Sequence, residues 1–194
     1  MATIKTTART FFANGVEGSS NLVGYQTKGP KRNVVRYTFS TADLPAGANK
    51  ISIAAPSEAT NDYWALYDGA WIKLRFKITT SATSHTDAGP TTTDYDGEVS
   101  FVKIGNAYYL SIPTTNVILL PNKTYYLYIF PGEATFGLVS TYAASLTLTV
   151  SGGAGIVKIY NGKTWDNYLC YIYTGSKWEL HLPYIYTGSK WELY

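Results

Sequence analysis

The reading starts from the last 39 residues, IVKIYNGKTWDNYLC (156–170), YIYTGSKWELHLP (171–183) and YIYTGSKWELY (184–194), where the chain repeats itself. Trp165, Trp178 and Trp191 stand 13 residues apart, and the same period carries Ile159, Ile172 and Ile185, then Tyr160, Tyr173 and Tyr186, then Gly162, Gly175 and Gly188. Asn161-Gly162, Thr174-Gly175 and Thr187-Gly188 supply the positive φ that a hairpin loop needs, and aromatic and β-branched residues flank them. Each unit therefore reads as strand, tight turn, strand. Between turns, Trp178, Leu180, Leu182, Tyr184 and Tyr186 fall on one face of an extended segment.

A unit this short cannot bury its own apolar face, so its neighbours must do so. Either the tail packs on the preceding residues, or several chains wind their tails together as short strand-turn-strand repeats do in viral fibre shafts. Pro183 suits an edge or bend in both cases. The apolar final strand, up to Tyr194, is expected to be covered by a partner. Tyr160, Trp165, Tyr173, Trp178, Tyr186 and Trp191 are the expected oligomerisation and repeat core.

The rest of the chain is read as one domain. Of 194 residues, 45% are hydrophobic, 15% aromatic and 15% charged, which suits a globular core rich in strands. Residues 1–150 carry alternating segments over Ile4–Ala13, Leu22–Thr27, Asn33–Thr41, Asn49–Ala55, Trp71–Thr80, Gly97–Ile104, Ala107–Pro113, Asn116–Leu120, Thr124–Phe130 and Ala144–Val150, separated by turn chemistry such as Asn14-Gly15 and Gly105-Asn106. No helix is expected. This pattern predicts an all-β protein: a jelly-roll-like β-sandwich over 1–150, a Gly-rich linker at 151–155 and three aromatic hairpins over 156–194. In the best strand, Trp71, Lys73, Arg75 and Lys77 face solvent while Ile72, Leu74, Phe76 and Ile78 face the core. The long polar stretch Ser81–Asp96 is expected to be a functional or mobile loop.

Charge and cysteine narrow the function. A net charge of +3 is too small to indicate nucleic acid, and the local cluster Lys28, Lys31, Arg32 and Arg36 reads as a solvated turn rather than a phosphate patch. Cys170 is alone, so neither an intrachain disulfide nor a cysteine zinc site is expected. No apolar run has the length of a signal peptide or a membrane span, which predicts synthesis in the cytoplasm and no membrane insertion.

Candidate chemistry is sparse. His85 and His181 have no spacing that brings them together, and no nucleophile elbow, phosphate loop or metal-ligand His pair is present, so no enzyme and no cofactor is expected. Asp94, Asp96 and Glu98 share one strand face at i, i+2 and i+4; this is a weak calcium candidate, with turn formation as the alternative. Tyr63, Trp64, Tyr67 and Trp71, interleaved with Asn61, Asp62 and Asp68, form the candidate glycan platform, because flat aromatic faces beside hydrogen-bonding groups match a sugar ring. The competing reading makes Trp64 and Trp71 core anchors. The aromatic hairpins also loosely resemble choline-binding cell-wall repeats, which are longer and carry more glycine.

LRFKITTSATSH (74–85), TTTDYDGEV (91–99) and LLPNKTYYLYIFP (119–131), joined through a Gly-rich hinge to IYNGKTW and YIYTGSKWEL repeats, resemble uncharacterised structural proteins of tailed bacteriophages. In those, such chains are tail, fibre or head-accessory components. The resemblance implies a place in a virion, without saying head or tail or what is bound. Joined to the residue reading, it leads to the expectation of a non-enzymatic homo-oligomer, a trimer favoured by symmetry, in contact with other virion proteins and with a host-surface glycan as candidate ligand. A capsid decoration or head-fibre position fits it as well as a tail-fibre one. The alternative is a bacterial cell-wall or carbohydrate-binding module, and glycan hydrolysis is the third.

Overall fold

In the computed structural model, the structure describes residues 1–25, 32–42, 44, 50–66, 73–83, 95–117, 119–120, 122–132, 137–151, 156–160, 162–163, 165–169, 171–173, 175–176, 178–180, 184–186 and 188–193. For strand residues 25, 32 and 95, and for the tail strands apart from Tyr173, the description is of the backbone.

The protein is all-β: every strand pairing is antiparallel, and no helix occurs among the described residues. The first strands are β1 (Ala2–Lys5), β2 (Ala8–Ala13), β3 (Val16–Gly18), β4 (Leu22–Tyr25), β5 (Arg32–Ser40), β6 (Lys50–Ile53) and β7 (Trp64–Ala65). They are followed by β8 (Leu74–Thr79), β9 (Tyr95–Glu98), β10 (Ser100–Ile104), β11 (Ala107–Asn116), β12 (Thr124–Pro131), β13 (Gly137–Thr141) and β14 (Thr147–Ser151). The tail contributes β15 (Ile156–Tyr160), β16 (Trp165–Leu169), β17 (Tyr171–Tyr173), β18 (Trp178–Leu180), β19 (Tyr184–Tyr186) and β20 (Trp191–Leu193).

The first 14 strands form one hydrogen-bonded network in the order β1-β14-β6-β11-β7-β13-β4-β5-β12-β8-β9, with β10 on β11 and β2 bridging β3 and β5. Its centre is β5 against β12, where Val35 pairs Ile129, Tyr37 pairs Leu127 and Phe39 pairs Tyr125. Alternation sends Val35, Tyr37, Phe39, Leu127 and Ile129 into the main core. Ile51, Ile53, Leu148 and Val150, from the other end of the network, enter the same core.

A second cluster covers the opposite face of the centre: Phe12, Val34, Tyr128 and Phe130, with Tyr126 packed against it. The expected basic outer face along β8 holds at exposed Lys73, just before the strand, and at partly exposed Arg75, and fails at Lys77. Lys77, expected in solvent, is 1% exposed, because β8 is paired on both sides and Lys77 lies opposite Tyr128 of β12 and Asp96 of β9. Arg36 departs from its expected place in a solvated turn. Its guanidinium lies 5.0 Å from the Phe12 ring and 5.1 Å from the Tyr126 ring and donates to the Ala82 carbonyl at 2.7 Å. Lys28 and Lys31 lie outside the described residues.

Local boundaries moved where tertiary pairing intervenes. The expected strand Ile4–Ala13 is broken at Thr6-Thr7, whose amides bond to Leu146 and Thr38. Gly97–Ile104 splits at Val99, and β11 continues past Pro113 to Asn116 through a register shift between Ile112 and Thr115. β3, β7 and β13 were not legible as strands; β7 is two residues held between β11 and β13. Where β4 meets β13, Gly24 has φ of 130°, and a Cβ there would run into the Gly137 carbonyl, so only glycine allows the close approach.

The tail is three two-stranded hairpins that repeat one register. Tyr160 pairs Trp165, Tyr173 pairs Trp178 and Tyr186 pairs Trp191, while Ile159, Ile172 and Ile185 oppose Asp166, Glu179 and Glu192. The turn glycines have φ of 96°, 94° and 93°, the left-handed geometry that the repeats require. Each hairpin is its own sheet; among the described residues no ladder joins one to the next or to the larger network. The expected linker lies mostly outside the described residues, at 152–155.

Candidate functional site

The candidate glycan platform is rearranged by the fold. Trp64 is fully buried; it pairs Tyr108 on one side and Thr141 on the other, and its ring tilts against Phe101 at 5.6 Å between centroids. It is a core anchor, not an exposed sugar platform, and its indole N–H is buried without a hydrogen-bond partner among the described residues. Tyr67 and Trp71 lie outside the described residues. Tyr63 is half-buried and stacks on Tyr142, centroids 4.7 Å apart and planes 24° apart. Tyr142 is 46% exposed, and sequence reasoning missed it, because its partner lies far along the chain in a segment without a motif.

A short run of bonds presents this aromatic pair. The Tyr142 N–H donates to the Tyr63 carbonyl at 2.8 Å, and the Ala144 N–H donates to Asp62 Oδ1 at 2.8 Å. Between them, the carbonyl of buried Ala143 accepts from Arg9 Nη1 at 2.7 Å and from the Tyr37 hydroxyl at 2.9 Å. Ala143 turns in while Tyr142 and Ala144 turn out, which is the pleat of an extended segment leaving β13. Burial pushes the Tyr37 phenol up to about 12, against weaker opposing pulls from the Thr141 hydrogen bond and the nearby Arg9 charge.

Next to the pair is a cavity of about 340 Å³. Its floor is Ile53, Trp64, Tyr109, Leu110 and Leu146, all buried. Its polar rim is Lys5, Thr60, Asp62, Ser145 and Thr147. The rim is held from below: the Tyr109 hydroxyl accepts from the Thr60 N–H at 2.7 Å and donates to the Thr60 carbonyl at 2.9 Å, and the Asp62 N–H donates to Thr60 Oγ1 at 3.3 Å. Asp62 is both a rim residue and the chain neighbour of Tyr63, so platform and cavity are one residue step apart.

Asp96 forms an ion pair with Arg75, and Glu98 lies opposite Arg75 in the β8–β9 register. Asp94 lies outside the described residues, among which no group of three or more His, Cys, Asp or Glu is placed to hold a metal ion. His85, His181 and Cys170 also lie outside them. In the tail, Tyr173 is 53% exposed; the side chains of Tyr160, Trp165, Trp178, Tyr186 and Trp191 are outside the description. Comparison with protein-family models, with curated proteins and with solved structures found no match for this chain.

Proposed function

We propose that this protein is a non-enzymatic structural component of a tailed-bacteriophage virion, a tail, fibre or capsid-decoration protein. In this reading its tails associate into a homo-oligomer, a trimer by preference, and its jelly-roll-like N-terminal sandwich presents a host-glycan surface. The observation that carries the reading is the tail: three hairpins of one register, each a separate two-stranded sheet. A lone two-stranded hairpin is marginal in water, and strands of three to five residues supply little area of their own. Second copies of the same tail supply the missing cover, and closed symmetry makes that cover equal for every chain. The sandwich assignment is supported by a core shared between β5, β12 and β8 on one side and β6 and β14 on the other.

Deleting residues 156–194 tests this. Light scattering on the full chain is expected to give a trimer mass, and on the truncated chain a monomer with its main thermal transition retained. An unchanged oligomeric mass after deletion refutes tail-driven association.

The exposed Tyr63–Tyr142 pair specifically favours a second reading, a bacterial cell-wall or carbohydrate-binding module. The same deletion separates the two: glycan binding kept with an unchanged mass in the truncated chain favours the module, whereas loss of the oligomer favours the virion component.

A further inference from the structure

We infer that the cavity beside Tyr63 and Tyr142 is a subsite for one neutral pyranose ring at the end of a surface glycan; this rests on the attachment reading above. The volume of about 340 Å³ stands at the small end of ligand pockets, which run from about 300 to 1,000 Å³. Such a space suits a sugar ring rather than a long chain or a flat polycyclic ligand.

The lining has the two chemistries a pyranose presents. Ala54 and Pro56, the exposed and half-buried apolar lining residues, meet the ring's C–H face, above a floor closed by the buried Trp64, Tyr109 and Leu146. The rim offers a carboxylate at Asp62 and an ammonium at Lys5, an acceptor and a donor for ring hydroxyls. Asp62 is oriented but not consumed. The Ala144 N–H takes one position on Oδ1, and a carboxylate has about four lone-pair sites, so acceptor capacity remains. Such a hydrogen bond to a charged group is stronger than one between neutral groups. Because the acceptor is already held by the fold, a ligand does not bear the cost of ordering it.

Charge selects against the competing ligands. A uronic or sialic acid carboxylate, or a phosphate, gains Lys5 but is opposed by Asp62, and a quaternary amine gains Asp62 but is opposed by Lys5 and finds Trp64 too deeply buried to close an aromatic cage. A neutral polyol uses both charges at once.

Saturation-transfer NMR on the full chain tests this with the methyl glycosides of glucose, galactose, mannose and N-acetylglucosamine, and with methyl glucuronide and choline as the anionic and cationic probes. The expected result is transfer to at least one neutral glycoside and to neither charged probe. T147W, which fills the cavity from an exposed rim position, abolishes that transfer, and D62N weakens binding about tenfold while keeping an oxygen for the Ala144 N–H. Thermal unfolding of both variants verifies that they fold; D62N alone decides if T147W does not. Neutral binding that survives T147W and D62N but is lost in Y142A overturns the cavity subsite and leaves attachment at the aromatic pair standing. Transfer only to a charged probe overturns the assignment to a neutral sugar. Silence of every neutral glycoside also overturns the subsite, and silence of a bacterial surface polysaccharide extract as well takes the attachment reading with it.

Discussion

The carbonyl of Ala143 has two donors, Arg9 and Tyr37, and removing them one at a time or together has different consequences. In Tyr37→Phe the carbonyl keeps the Arg9 bond at 2.7 Å, so the loss is the hydroxyl's bond to Ala143 and its 3.4 Å contact with Thr141 Oγ1, together about 1–2 kcal/mol. Arg9→Ala leaves the Tyr37 bond in place and removes the guanidinium 4.9 Å from the Phe11 ring; the two losses together are about 1–2 kcal/mol. The double variant strands a buried acceptor with neither donor, which adds a desolvation penalty of about 1–3 kcal/mol that neither single change incurs. Urea unfolding of the four proteins measures this as a coupling, and additivity within about 0.3 kcal/mol refutes the shared-acceptor account.

A pH arm isolates Tyr37. Its phenol is raised from 10.0 to about 12 in the fold, so the folded protein keeps this proton when the unfolded chain has lost it. The corresponding stability is fully present below about pH 10 and is lost as pH rises through 12. At about 1.36 kcal/mol per pH unit, the loss at pH 12 is on the order of 2–3 kcal/mol. Tyr37→Phe must lack that part of the alkaline slope. An identical alkaline limb in wild type and variant would refute the burial argument.

Two further perturbations separate local strain from contact. Gly24→Ala meets both a positive φ and the Gly137 carbonyl, and its cost is expected to reach about 3 kcal/mol or more; Gly175→Ala has positive φ in open space and should cost only about 1–2 kcal/mol, confined to the tail. Thermal unfolding that ranks the two equally would refute the close-approach reading of Gly24. Asp96→Asn breaks an ion pair whose side chains are 37% and 24% exposed, so it should change stability by less than about 1 kcal/mol, and added calcium should not move the melting temperature of the wild type. A calcium-dependent rise in melting temperature that Asp96→Asn removes would reinstate these carboxylates as a metal site.

What could be read from sequence was whatever depends on neighbours along the chain. Alternation in NVVRYTFST and TYYLYIF became β5 and β12, and Ile51 and Ile53 turned inward, because period-two patterning is a property of the strand itself. The 13-residue repeat became three hairpins of one register, because a glycine at positive φ sets a turn locally. Which face is covered was not legible. Lys77 looked solvated until Tyr128 of β12 and Asp96 of β9 were found flanking it, and Trp64 could be read as platform or core anchor until β11 and β13 were found on either side of it.

The candidate site follows the same division. Tyr63 and Asp62 could be named from their own segment, but Tyr142, Ala144, Lys5 and Thr147 join them only through pairing with residues far away in the chain. Sequence by itself determined that this chain is built of strands and glycine-turned hairpins, since backbone preference and side-chain period act over a few residues. The tertiary structure alone decided which aromatics are buried, which carboxylate is held and where the cavity opens, since burial is set by what long-range pairing places on top.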